Sequence, residues 1–101
     1  MQQNTFTGRF AADPEAKGES AAQFTLISNE YAGKDDAGEA KERAVSIRFV
    51  AFKHIAKFIA EYGQKGAKAT VFYRIENNHY DDQDGNTHYG YNFIVQDADL
   101  A

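Results

Sequence analysis

A chain of 101 residues, 43% hydrophobic and 26% charged, has the size and balance of one globular domain spanning 1–101 around one core. It contains no cysteine, which excludes disulfides, thiolate metal sites and a cysteine nucleophile. No apolar run approaches the roughly 20 residues of a membrane-spanning helix, and Met1-Gln2-Gln3-Asn4 lacks the basic-then-apolar pattern of a secretory leader. A cytoplasmic protein with no membrane partner is the expectation.

In chain order, Thr5 to Phe10 and Gln23 to Ser28 are predicted strands, joined through Asp13-Pro14 and Gly18. The polar, Gly-containing stretch from Gly33 to Glu42 reads as a mobile loop. In the next strand, Ala44 to Phe52, Val45, Ile47, Phe49 and Ala51 share one face, and Ser46, Arg48, Val50 and Phe52 share the other. An arginine and a phenylalanine on that second face are unusual for a strand with a single buried side. A helix is predicted over Lys53 to Tyr62, with Ile55, Phe58, Ile59 and Tyr62 at spacings of three and four. Gly63 and Gly66 close it with the positive φ that follows a helix end.

Ala67 to Tyr80 reads as a long strand in which Ala69, Val71, Tyr73 and Ile75 alternate with Thr70, Phe72, Arg74 and Glu76. Asp84-Gly85 is the tip of a hairpin, and the return strand, His88 to Gln96, sets Tyr89, Tyr91, Phe93 and Val95 together. Three strands, one helix and two strands follow one another. That is the order of a five-stranded OB-fold barrel, all-β, with one helix between strands 3 and 4. Such barrels bind oligonucleotides or oligosaccharides on the face of strands two and three, where Arg48 and Phe52 fall.

The net charge of −4 conceals a segregation. Between Arg43 and Ile75 stand seven basic residues, Arg43, Arg48, Lys53, Lys57, Lys65, Lys68 and Arg74, against the single acid Glu61. The remaining residues hold four bases and fourteen acids. A local excess of cations of this kind is what a polyanion site requires. The chain also has 8 Phe and 6 Tyr, more rings than a core of this size takes in.

Several segments resemble the bacterial single-stranded-DNA-binding proteins. Gly8-Arg9-Phe10-Ala11-Ala12-Asp13-Pro14-Glu15 is similar to that family's first strand and turn. Phe49-Val50-Ala51-Phe52, Ala56 and Glu61-Tyr62-Gly63-Gln64-Lys65-Gly66 resemble its third strand and helix, and Tyr80, Asp84-Gly85 and Tyr89 its last hairpin. The resemblance runs from Asn4 to Gln96. It implies base stacking at the positions of Tyr31, Ser46, Phe52 and Tyr80, with Ser46 unable to stack. It also implies phosphate contacts from Arg48, Lys65 and Arg9, to which the basic segment adds Lys53, Lys57 and Arg74. Lys53-His54 stands where the family usually has Gly-Lys, and Tyr73 where many members have Gly.

The expected function is non-enzymatic, largely sequence-independent binding of single-stranded DNA in replication, recombination or repair, without cofactor or metal. Stacking suits that task because every base has a π-face. Two alternatives stay open: a replication-restart adaptor whose barrel mainly contacts proteins, and an RNA- or oligosaccharide-binding barrel. His54, His79 and His88 lack metal-ligand spacing, although the last two could face each other across the hairpin. Asp82-Gln83-Asp84-Gly85 is a hairpin turn rather than a calcium loop, because Tyr80 occupies the first ligand position.

The resemblance further implies self-association, as a homotetramer or a homodimer through the open edge of Thr5 to Phe10, with Phe72 covered by a neighbour. Family members often recruit replication and repair proteins through an acidic tail ending in Phe. Here the sequence ends at Asp97-Ala98-Asp99-Leu100-Ala101, read as a short form without that tail.

Overall fold

Alternation at period two reappears as alternation in burial, and it builds a barrel. In the computed structural model, residues 1–88 and 90–100 are described. The strands are β1 (Asn4–Phe10), β2 (Glu15–Ala16), β3 (Ala21–Lys34) and β4 (Ala40–Phe52), followed by helix α1 (Lys53–Tyr62). Then come β5 (Lys68–Asn77), the short β6 (Tyr80–Asp81) and β7 (Thr87–His88), and β8 (Tyr91–Leu100). Ala22, Phe24 and Leu26 of β3, Phe49 and Ala51 of β4, and Ala69 and Val71 of β5 turn inward and are buried. Their neighbours along each strand face outward, as period two requires. Phe49 is the centre of the core, with the rings of Tyr73, Phe24 and Phe6 at 5.0, 5.6 and 5.9 Å.

The main sheet has the order β1-β5-β8-β4-β3-β2, and β1 returns to pair with β3 at Arg9↔Ile27 and Phe10↔Leu26. Five long strands thus close a barrel, with the helix between the third and the fourth of them, as the sequence predicts. Closure depends on Gly8. A Cβ there would lie 2.7 Å from the carbonyl oxygen of Ile27, so only glycine lets β1 cross β3 this closely.

Helix α1 buries Ala56 and Ile59 and packs against β3, β4 and β8. Its ends differ from expectation. Gly63 has φ −78, not a left-handed conformation; glycine is needed there because a Cβ would stand 2.6 Å from the Ile59 carbonyl and 2.9 Å from Pro14. Gly66 is the position with positive φ, +86. At the other end Lys53 has φ 57, the one non-glycine with positive φ among the described residues.

The stretch from Gly33 to Glu42 is not a loop of ten residues. β3 and β4 continue as a paired ribbon through Asn29↔Ala44 and Tyr31↔Glu42, with a bulge before Lys34↔Ala40. The turn is only 35–39. There the Asp35 carboxylate accepts the N–H groups of Ala37 and Glu39 at 3.0 and 2.9 Å, and Gly38 takes positive φ. Both faces of this ribbon meet water, so no apolar alternation marks it.

The last hairpin is also redrawn. β5 stops at Asn77, and β6 and β7 form a separate two-stranded sheet. Tyr89 lies outside the described residues. β8 starts at Tyr91 and runs on to Leu100, because Ala98 and Leu100 pack on the core while Asp97 and Asp99 face out. A bulge falls between Phe72 and Tyr73 in the β5–β8 pairing, next to the ring of Tyr73 that fills the interior. No helix among the described residues is long and apolar enough to cross a membrane.

Candidate nucleic-acid interface

Directly opposed residues on paired strands share a face. The register of β3 and β4 therefore places Tyr31, Asn29, Ile27, Thr25, Gln23 and Ala21 on one surface with Glu42, Ala44, Ser46, Arg48, Val50 and Phe52. This is the outer surface. Tyr31 is 67% exposed and Phe52 45%. At a rise of about 3.3 Å per residue they are separated by about 30 Å along the ribbon, with Ser46 and Arg48 between them. One more pairing carries the surface across the barrel: Val50 stands beside Ile94 of β8, and Ile94 opposite Arg74 of β5. Arg74 thus joins the surface of Arg48 two strands away, where its Nε donates to Glu76 at 2.8 Å.

Where β4 and β8 separate on either side of the Val50–Ile94 contact, a cleft of about 550 Å³ opens. Lys17, Gln23, Ser46, Arg48, Phe52, Tyr91 and Phe93 line it. Arg48 donates from Nη2 to Oε1 of Gln23 at 2.5 Å, which fixes its guanidinium plane beside the cleft. A second depression, of about 230 Å³, continues on the far side of Gln23 and Arg48 toward Asp13 and Glu15. An open groove lined by rings and a guanidinium can take a flat base and its phosphate together.

The structure brings Arg48 and Phe52 into this cleft and sets Lys53 directly after Phe52, with Lys57 one turn further along the exposed side of α1. It does not bring Lys65 and Arg9 there. Arg9 donates to the Gly66 carbonyl at 3.0 Å and the Lys65 N–H is accepted by Asp13 at 2.8 Å, so both belong to the turn after the helix. Tyr31 lies within β3 rather than beside a loop. Tyr80 is in β6, 57% exposed, and its Cα partner is His88. The imidazole of His88 lies flat on the Tyr80 ring, at 4.9 Å between centroids and 11° between planes. His79 and His88 therefore do not face each other; His79 meets Tyr91 edge-on at 6.0 Å.

Two cleft residues escape the sequence reading. Tyr91 shares the inward face of Phe93 and Val95 by alternation, but it lies past the closed part of the barrel and is 59% exposed. Lys17 reaches the cleft because β2 pairs with β3 through Glu15↔Gln23 and Ala16↔Ala22, a two-residue strand with no periodic signal.

The sequence matches the Single-strand binding protein family over residues 1–101. The chain belongs to this family. Among curated relatives, the Single-stranded DNA-binding protein of Clostridium perfringens (strain 13 / Type A) is 31% identical over 105 residues, which cover 99% of this chain. The chain spans 65% of that relative's length. Among solved structures, a Plasmodium falciparum SSB complex with ssDNA superposes with a TM-score of 0.77 at 21% identity, over 99% of this chain and 92% of the other. At that identity the likeness speaks for the barrel alone, and it agrees with the five-stranded OB-fold derived from the strand order.

Proposed function

We propose that this chain binds single-stranded DNA with little sequence preference, and that it acts without catalysis in replication, recombination or repair. The carrying observation is the outer surface of β3 and β4, where exposed rings flank an open cleft containing Arg48. The family match supports the reading, and so do the names of the relatives, one a single-stranded-DNA-binding protein and one a complex with single-stranded DNA. Bases stack on Tyr31, Phe52 and Tyr80, while Arg48, Lys53, Lys57 and Arg74 follow the phosphates; Arg9 and Lys65, outside the cleft at the turn after the helix, extend the path there. A cytoplasmic setting fits this role.

Self-association belongs to the same proposal. From Asn4 to Gly8, β1 pairs with β5 on one side, while its pairing to β3 is confined to Arg9 and Phe10. Its second edge is a template for another chain. Phe72, exposed on β5 opposite Thr5, supplies apolar surface for such a contact. A homodimer or homotetramer multiplies weak sites on one strand. Sedimentation at micromolar concentration is expected to give a species of at least twice the chain mass, and a monomer would remove this part of the proposal.

Titration with oligo(dT), duplex DNA and an oligosaccharide tests the function. Oligo(dT) is expected to bind most tightly. Equal or tighter binding of the duplex or the sugar would overturn the reading.

A further inference from the structure

The hairpin of β6 and β7 stands outside the barrel sheet, yet its exposed side chains are joined by a ring stack and a set of hydrogen bonds. Tyr80 and His88 are cross-strand partners on one face of it. Their rings form an offset stack, a favoured aromatic geometry. Both residues remain exposed, so the pair is not a fragment of a core.

The imidazole is held in place by a carboxylate. Asp82 accepts a hydrogen bond from Nε2 of His88 through Oδ2 at 2.7 Å. Its other oxygen accepts the backbone N–H groups of Asp84 and Asn86, each at 2.9 Å. The backbone of Asp82 closes the turn from both sides, receiving from Gly85 and donating to Asn86. Thr87 donates to Asp81 at 2.7 Å across the same two strands. A carboxylate accepts only, so the contact fixes the proton on Nε2 and sets the plane of the ring.

An isolated tyrosine on a two-stranded hairpin would turn freely about its side-chain torsions, and ordering it on a base costs side-chain entropy. Here that ordering precedes binding. We propose that His88 is a positioning residue for stacking at Tyr80: Asp82 fixes the imidazole, the imidazole fixes the phenol ring, and the two rings together present a preformed platform for a DNA base. The inference rests on the reading of Tyr80 as a stacking residue and deepens it, because it assigns the orientation of that ring to His88 and Asp82.

The test is a double-mutant cycle on oligo(dT) affinity, with the thermal midpoint of each variant measured alongside. His88→Ala is expected to weaken binding about two- to tenfold, the range an aromatic pair supports. His88→Phe, which keeps a flat ring but loses the bond to Asp82, is expected to recover only part of that loss. In a Tyr80→Ala background, His88→Ala is expected to change affinity by no more than about twofold, since the ring it positions is gone. Wild-type affinity in His88→Ala, with Tyr80→Ala impaired, would overturn this inference and leave the DNA-binding reading standing. So would an undiminished effect of His88→Ala in the Tyr80→Ala background. An unimpaired Tyr80→Ala would remove the platform itself, and failure of the wild-type protein to bind oligo(dT) would overturn the broader reading together with it.

Discussion

Ser46 and Ile27 stand directly opposite each other on the exposed surface of the β3–β4 ribbon, between Tyr31 and Phe52. Ile27 is left 37% exposed because the serine across from it is too small to cover it. The middle of the surface thus offers an aliphatic side chain and a hydroxyl where the two ends offer rings. Ser46→Trp is expected to cover Ile27 as a cross-strand pair and to add a stacking ring. Binding of oligo(dT) is predicted to tighten by about fivefold or more, since stacking contributes about 1–3 kcal/mol per base. A folded Ser46→Trp protein with unchanged affinity would show that DNA takes another path.

Lys53 occupies the left-handed region at φ 57, and its N–H is tied to the Ser20 carbonyl at 2.8 Å. For a residue with a Cβ this conformation costs roughly 1–2 kcal/mol. Glycine adopts it without strain but loses more chain entropy on folding. Lys53→Gly is therefore predicted to stabilise the protein by about 0.5–1 kcal/mol in denaturant unfolding. It also deletes a cation beside Phe52, so the slope of log affinity against log salt is expected to fall by about 0.7. A less stable variant would contradict the account of Lys53 as a strained position kept for its charge.

The Asp82 carboxyl is held below the ordinary carboxylate range, first by its hydrogen bond with His88 and then by the Asn86 N–H. A lowered pKa in the folded state means that its contribution is present above the unfolded pKa and is lost as pH falls through the folded one. Contact between the Tyr80 and His88 rings, followed by NMR, is thus predicted to survive acidification through the ordinary carboxylate range and to be lost only at still lower pH. The barrel signals are expected to persist where the hairpin signals are lost, since β6 and β7 form their own sheet. Loosening of the hairpin within or above the ordinary carboxylate range would count against Asp82 as its organiser.

The barrel was legible in the sequence wherever one face of a strand is dry. Phe49 and Ala51, or Ala69 and Val71, alternate with outward residues because burial selects apolar side chains at period two. The same rule is silent from Asn29 to Arg43, where both faces are wet and only backbone pairing and the Asp35 turn maintain the ribbon. Arg48 and Phe52 could be placed in the site from an incongruous polar-aromatic face. Tyr91 could not, since its alternation assigns it to the core and only the position of the barrel mouth exposes it. The pairing of Tyr80 with His88 required the register of a two-residue strand, and no periodic pattern encodes that.

The proposed DNA surface depends most directly on its exposed rings. Affinity for oligo(dT), measured for Tyr31→Ala, Phe52→Ala and Tyr80→Ala beside the wild-type protein, tests it. Each substitution is predicted to weaken binding by about 1–3 kcal/mol. Tyr31→Ala and Tyr80→Ala are expected to leave the thermal midpoint unchanged, and Phe52→Ala is to be judged against its own midpoint because Phe52 precedes the helix. Wild-type affinity in well-folded Tyr31→Ala and Phe52→Ala proteins would contradict the claim that bases stack on the outer surface of β3 and β4.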